Sequence, residues 1–348
     1  MRHRGLAAAG ALAAVIAVVS LLTAAVAGQA PSASPTAAAA ASSPLRTPWG
    51  HPDLQGVWNN NVSTPLERPS ELAGKQQWTD EEQAEFTEKQ QAARENRDSR
   101  EGAGTDADVG RAYNAFWYPV PGEAIKRTSL ISDPADGRVP ELTPEGQKRA
   151  EAFNAPRRRA PTGPEDRNLW ERCLTRGVPR LPGGYNNHFQ IVQSPEYVVI
   201  LVEMIHEARL IPLDGRPHLP PSTRLWLGDS RGRWEGETLV VETTNFSDKT
   251  NFRGSGSGLH VVERFTRVDA DTIDYEFTVT DPTTWTRPWT AGYPLKSLQS
   301  AVGGRDEVSI PLVFEYACHE GNYGLVGQLR GARVEEQEAA AAAKKGSR

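Results

Sequence analysis

Only two cysteines, Cys173 and Cys318, occur in the 348 residues, and they stand far apart with no CxxC pair. That excludes the thiolate-rich zinc modules, whose ligands come in close pairs. Other signatures are missing too: there is no GxSxG, no P-loop, no HxH or HExxH, and no propeller-type repeat. The nucleophile elbow, the phosphate-cradling nucleotide loop and the zinc-protease helix are therefore set aside. Gly254, Gly256 and Gly258 imitate a nucleotide loop, but no helical pattern follows them, so they read as a flexible loop. Basic residues are in deficit, with 39 Lys and Arg against 44 Asp and Glu for a formal charge of −5. Removing residues 1–30 takes away Arg2 and Arg4 and no acid, giving −7. So acidic a chain offers no electrostatic footprint for nucleic acid. Its one basic run, 157–159, lies between prolines and reads as a solvated loop.

The one long apolar run is at the start. Arg2 and Arg4 precede apolar residues 6–27, and Ala25, Ala27 and Ala30 supply small residues for cleavage, the pattern of a secretory signal peptide. No cysteine lies near that point and Arg2-His3-Arg4 is not a twin-arginine signal, which argues against a lipoprotein and against that export route. The expectation is a periplasmic or secreted protein with no membrane span after cleavage. In an oxidising compartment Cys173 and Cys318 are expected to pair. Closing so long a loop is worth on the order of 4–5 kcal/mol on the chain-entropy model. The competing use of Cys318-His319 in a metal site lacks supporting spacing.

What the sequence does have is alternation. Within 259–280, Thr272, Asp274, Glu276, Thr278 and Thr280 form a polar face opposite Ile273, Tyr275, Phe277 and Val279, which only a period of two produces. A two-residue turn at Ala270-Asp271 would place Arg267 opposite Asp274 and Val268 opposite Ile273, with Phe265 opposite Glu276 breaking the pattern. Further strands are predicted at 52–58, 128–133, 189–193, 197–211, 225–228, 238–246 and 312–318, with 229–237 as the connection between two of them. Two helices are predicted. Thr79 with Glu82 makes a capping box, and Thr143 caps a helix with Pro144 in its first position, running to Phe153.

The organisation is a signal at 1–30, an Ala/Ser/Pro lead at 31–45, a partly irregular and helical covering region at 46–184, an antiparallel β core at 185–333 and a polar, alanine-rich tail at 334–348. The fold class is mainly β: an antiparallel barrel or two-sheet sandwich with two peripheral helices and long irregular segments. An open sheet of so many strands would leave unprotected edges.

Three motifs, PDLQGVW (52–58), TRLWLGDSRGRWEGETLVVETTNF (223–246) and YACHEGNY (316–323), resemble a widespread uncharacterised family of exported proteins of environmental bacteria. The resemblance implies export and a common fold, and lends no catalytic residue. The strand pattern is similar, more loosely, to lipocalin-like barrels.

Candidate chemistry rests on few side chains. His206 is expected on a strand face with Val202, Met204, Ala208 and Leu210, and Glu203, Glu207 and Arg209 on the other. His188 at a strand start and His319-Glu320 at a strand end sit where strands meet loops. A Cys173–Cys318 bridge would draw His319 toward His188, and with His206 or Glu320 they could hold a divalent metal, although no metal-ligand motif supports this and no cofactor is implied. Glu203, Glu263 and Glu276 could line a lumen or form a solvent face. Trp285, Arg287 and Trp289 alternate with small residues and offer either a stacking surface for a ring or a plug of the barrel end. Trp226 and Trp234 flank a turn and could serve the same ends. Three functions remain: a protein binding a small, ring-containing molecule in a barrel pocket; a hydrolase or lyase using His188, His206 or His319 with Glu203 or Glu320; and an envelope scaffold without ligand.

Overall fold

A computed structural model describes residues 45–96, 122–183, 185–250, 252–298 and 313–346. The expected signal peptide and nearly all of the expected lead lie outside the described residues. Ten strands form one antiparallel sheet: β1 Gly56–Asn59, β2 Ile131–Asp133, β3 His188–Gln193, β4 Tyr197–Val202, β5 Glu207–Pro212, β6 Asp229–Glu235, β7 Thr238–Thr244, β8 His260–Asp269, β9 Thr272–Thr280 and β10 Trp289–Ser297. The strand order is β5-β4-β3-β1-β10-β9-β8-β7-β6, with β2 pairing β10 outside that path. The end strands β5 and β6 lie side by side, so the sheet is nearly closed into a barrel. Gly232 on β6 permits that seam, because a Cβ there would sit 2.8 Å from Ile211 Cγ2 and 2.7 Å from Leu213 Cδ2. The sheet reaches beyond 185–333, since β1 is an interior strand held by β3 and β10.

Period-two burial is clearest on β9, where Ile273, Tyr275, Phe277 and Val279 are all within 3 % of full burial and Asp274 and Glu276 are exposed. Trp58, Phe246, Trp285, Trp289 and Tyr293 complete the core. Each such side chain removed from water contributes roughly 1.5–3 kcal/mol.

The β8–β9 register differs from the expected one. A bulge between Arg267 and Asp269 leaves Val268 unpaired, placing Arg267 opposite Ile273, Thr266 opposite Asp274 and Phe265 opposite Tyr275. The extra residue removes the Phe265–Glu276 mismatch, and exposed Val268 is its cost. The expected long arm 197–211 is two strands. Ile205 and His206 take positive φ of 66° and 46°, reversing the chain so that Val202 pairs Glu207. The connection 229–237 is mostly strand: β6 pairs β7 across the two-residue turn Gly236-Glu237. Residues 225–228 make only one bridge, Leu225 with Phe246.

Strand β10 was not expected. Trp289, Ala291, Tyr293 and Leu295 alternate inward, but Gly292 and Pro294 read as breakers. The strand expected at 312–318 is absent over its described part, 313–318, where backbone polar groups find other partners: Phe314 N–H donates to Glu203, and Tyr316 O contacts His206.

Helix α1, Asp80–Glu95, has the reciprocal Thr79–Glu82 cap, and α2, Pro144–Asn154, is capped by the Thr143 side chain. The expected tail is instead part of a helix, α3, Tyr323–Gly346. Among the described residues no helix is long and apolar enough to cross a membrane.

Candidate functional site

The Glu203–His206 turn and the start of β3 meet at one end of the barrel. Glu203 N–H donates to His188 O at 3.0 Å, and Met204 N–H to Asn186 O at 3.1 Å. This brings the Glu203 side chain beside the His188 ring, with Oε2 2.9 Å from Nδ1. The other oxygen, Oε1, accepts from Phe314 N–H at 3.0 Å. Glu203 is 1 % exposed while the His188 side chain keeps 24 %. Burial alone would raise the Glu203 carboxyl, but hydrogen bonds from His188 and the Phe314 amide outweigh it and hold it below its ordinary value. The Glu203 carboxylate lies within ion-pair distance of Nδ1 but off hydrogen-bond alignment, and it accepts from the His188 backbone N–H at 3.4 Å, so Nε2 is the ring nitrogen turned away from it.

Residues 314–322 form the facing wall. The disulfide Cys173–Cys318, with Cα atoms 5.7 Å apart, ties this wall to the Trp170 segment. Asn322 Nδ2 donates to Glu171 O at 2.8 Å, and His206 Nδ1 lies 2.9 Å from Tyr316 O. Between the walls is a cavity of about 980 Å³, lined among others by Trp170, Tyr185, Asn187, His188, Glu203 and Tyr316.

Of the histidines nominated, only His188 lines this cavity among the described residues. His206 is exposed and turned to Tyr316 O; its expected neighbours separate, with Met204 buried, Leu210 59 % exposed, and Glu203 and Arg209 buried instead. The β4–β5 reversal inverts the faces assumed for a continuous strand. His319 and Glu320 are exposed on the turn after Cys318, outside the cavity lining. Among the described residues no group of His, Cys, Asp and Glu could hold a metal. His218–Asp229 and His260–Glu242 are further imidazole–carboxylate pairs, at 2.9 and 2.8 Å.

Trp285 and Trp289 are core residues at 1 % and 0 % exposure, edge to face at 5.8 Å, so they fill the barrel and present no open stacking surface. Arg287 lies outside on Asp133, at 2.9 and 3.0 Å. Trp226 is 37 % exposed, and Trp234 stacks on His51 with centroids 5.1 Å apart.

The lumen holds a second polar group. Arg209 Nη1 is 2.7 Å from Glu263 Oε2, and Tyr275 OH donates to Glu263 Oε1 at 2.8 Å. Burial, then the Glu263 charge, pushes the Tyr275 hydroxyl well above its ordinary value. Burial, then Arg176, brings the Arg180 guanidinium down to about 10. Glu207 is raised by burial against hydrogen bonds from Thr175 and the Arg176 amide. The remaining void is about 30 Å³, room for one or two waters and no ring. The expected pocket is therefore at the barrel's end and not in its lumen. Sequence reasoning missed Trp170 and Asn187, whose segments look irregular; the nearby Cys173 was the available signal. No family model, curated protein or solved structure matches this chain.

Proposed function

We propose that the chain is an exported protein that binds a small, ring-containing molecule in the cleft closed by Cys173–Cys318. The carrying observation is the contrast in space: about 980 Å³ beside the His188–Glu203 pair, against about 30 Å³ in the lumen. Ligand sites are concave and present a few placed polar groups among apolar ones, and this cleft combines aromatic rings with one buried carboxylate. The disulfide supports export, since such bonds persist in oxidising compartments. The resemblance to exported bacterial proteins points the same way.

A second reading is favoured by the 2.9 Å His188–Glu203 contact. A carboxylate beside one imidazole nitrogen leaves the other to act as a general base or acid, as a hydrolase or lyase requires. Native mass spectrometry of the protein purified from its own host tests the binding reading: a retained small molecule, lost from His188→Ala, is the expected result. A protein that carries nothing and whose cleft residues respond to no added compound would leave the scaffold reading. Turnover of the retained compound, abolished in His188→Ala while binding persists, would establish the enzyme reading.

A further inference from the structure

Resting on the cleft as the binding site, we infer that its ligand class is an uncharged, polyhydroxylated ring, that is, a saccharide. Among the described residues the cleft lining contains no Lys or Arg. Phosphates, sulfates and carboxylates are held by such cations, so selection for an anion has no basis there. A cation is poorly served as well. Of the three lining carboxylates, Glu203 is engaged by His188 and Phe314 N–H, Glu171 by Arg167 at 2.6 Å and Asn168 N–H at 2.9 Å, and Glu315 is exposed, where solvent and salt screen its attraction for a cation.

What remains is suited to a neutral ring. Trp170 is 46 % exposed and Phe314 62 % exposed, large aromatic surfaces at the cleft that the fold leaves uncovered. Arg176, over the Trp170 ring at 5.4 Å, is directed to Met204 Sδ at 3.0 Å and is not one of the lining residues. The C–H faces of a pyranose pack on such rings. Its hydroxyls both donate and accept, so they match amide side chains, and Asn187, Asn322 and Gln328 line the same cavity. Asn187 stands out among them. It is 4 % exposed, and its buried Nδ2 has no hydrogen-bond partner in the protein. Buried donors are almost always paired, and a small turn of this side chain toward the cleft would give the amide an acceptor in a sugar hydroxyl.

The test titrates the intact, disulfide-bonded protein with a panel of neutral mono- and disaccharides, with choline and with benzoate, by isothermal calorimetry. It is repeated on Trp170→Ala, Trp170→Phe and Asn187→Leu, each confirmed folded by circular dichroism. The expected result is saturable binding of at least one neutral sugar, weakened about tenfold by Trp170→Ala and by Asn187→Leu but largely kept by Trp170→Phe. Choline and benzoate stay unbound. Absence of sugar binding, or sugar binding indifferent to Trp170 and Asn187, overturns the inference. Trp170-dependent binding of choline or benzoate alone overturns the saccharide class while keeping the cleft as the ligand site. Failure of every probe, joined to a host-purified protein that retains nothing, overturns both.

Discussion

The lumen and the cleft each contain a buried carboxylate beside a nitrogen base, yet only one of them has room for a visitor. Glu263 is enclosed by Arg209 and Tyr275 within the packed barrel. Glu203 is as deeply buried, but its partner His188 reaches a large cavity. The charge pattern is similar and the surroundings differ. A fully enclosed ion pair contributes little net stability, because desolvation consumes most of the Coulomb gain. A pair with one member at a cavity wall keeps that member available for binding or proton transfer.

This comparison can be broken most sharply in the lumen. Glu263→Leu should cost about 3–5 kcal/mol in denaturant unfolding, because it strands a buried guanidinium. Adding Arg209→Met should recover most of that loss, and a double variant as unstable as the single one would argue that Glu263 acts through something other than its ion pair. Next in size is the wall of the cleft. Replacing Cys173 and Cys318 by serine should cost about 2–5 kcal/mol, and ligand binding should weaken more than stability alone explains. Equal binding in the serine variant would detach the cleft from the disulfide.

At the seam, Gly232→Val should cost roughly 1–3 kcal/mol by overpacking against Ile211 and Leu213, read as a lower midpoint with the slope unchanged. The smallest effect is expected at Glu203→Gln, about 1 kcal/mol near neutral pH. Because the folded Glu203 carboxyl lies below its ordinary value, its contribution is full above that value and is lost as pH falls through the lowered one. The stability gap between wild type and Glu203→Gln should therefore close on acidification. A gap that widens instead would show that the carboxyl is raised by burial.

Much of the fold was legible in the residues. The alternation of 272–280 located β9 and its buried face, and Thr79–Glu82 and Thr143–Pro144 marked the starts of α1 and α2, while α3 went unmarked. Elsewhere local signals misled. Pro294 concealed β10, although its flanking residues alternate, and Phe314 looked like strand while its amide bonds to Glu203. In the site, His188, Glu203 and the two cysteines could be nominated from sequence, but His206, His319 and the Trp285–Trp289 pair could not be sorted from them. Their exposure depends on turns and on chain brought from far away.

By itself the sequence determined the class of the fold, because strand period and helix caps are interactions among near neighbours. Tertiary structure alone decided the β8–β9 register, the closure of the barrel at Gly232 and the meeting of Glu203 with His188. Each of these depends on which distant residues share a space, and a positive φ at Ile205 or a missing Cβ at Gly232 acquires meaning only against the strand that packs there.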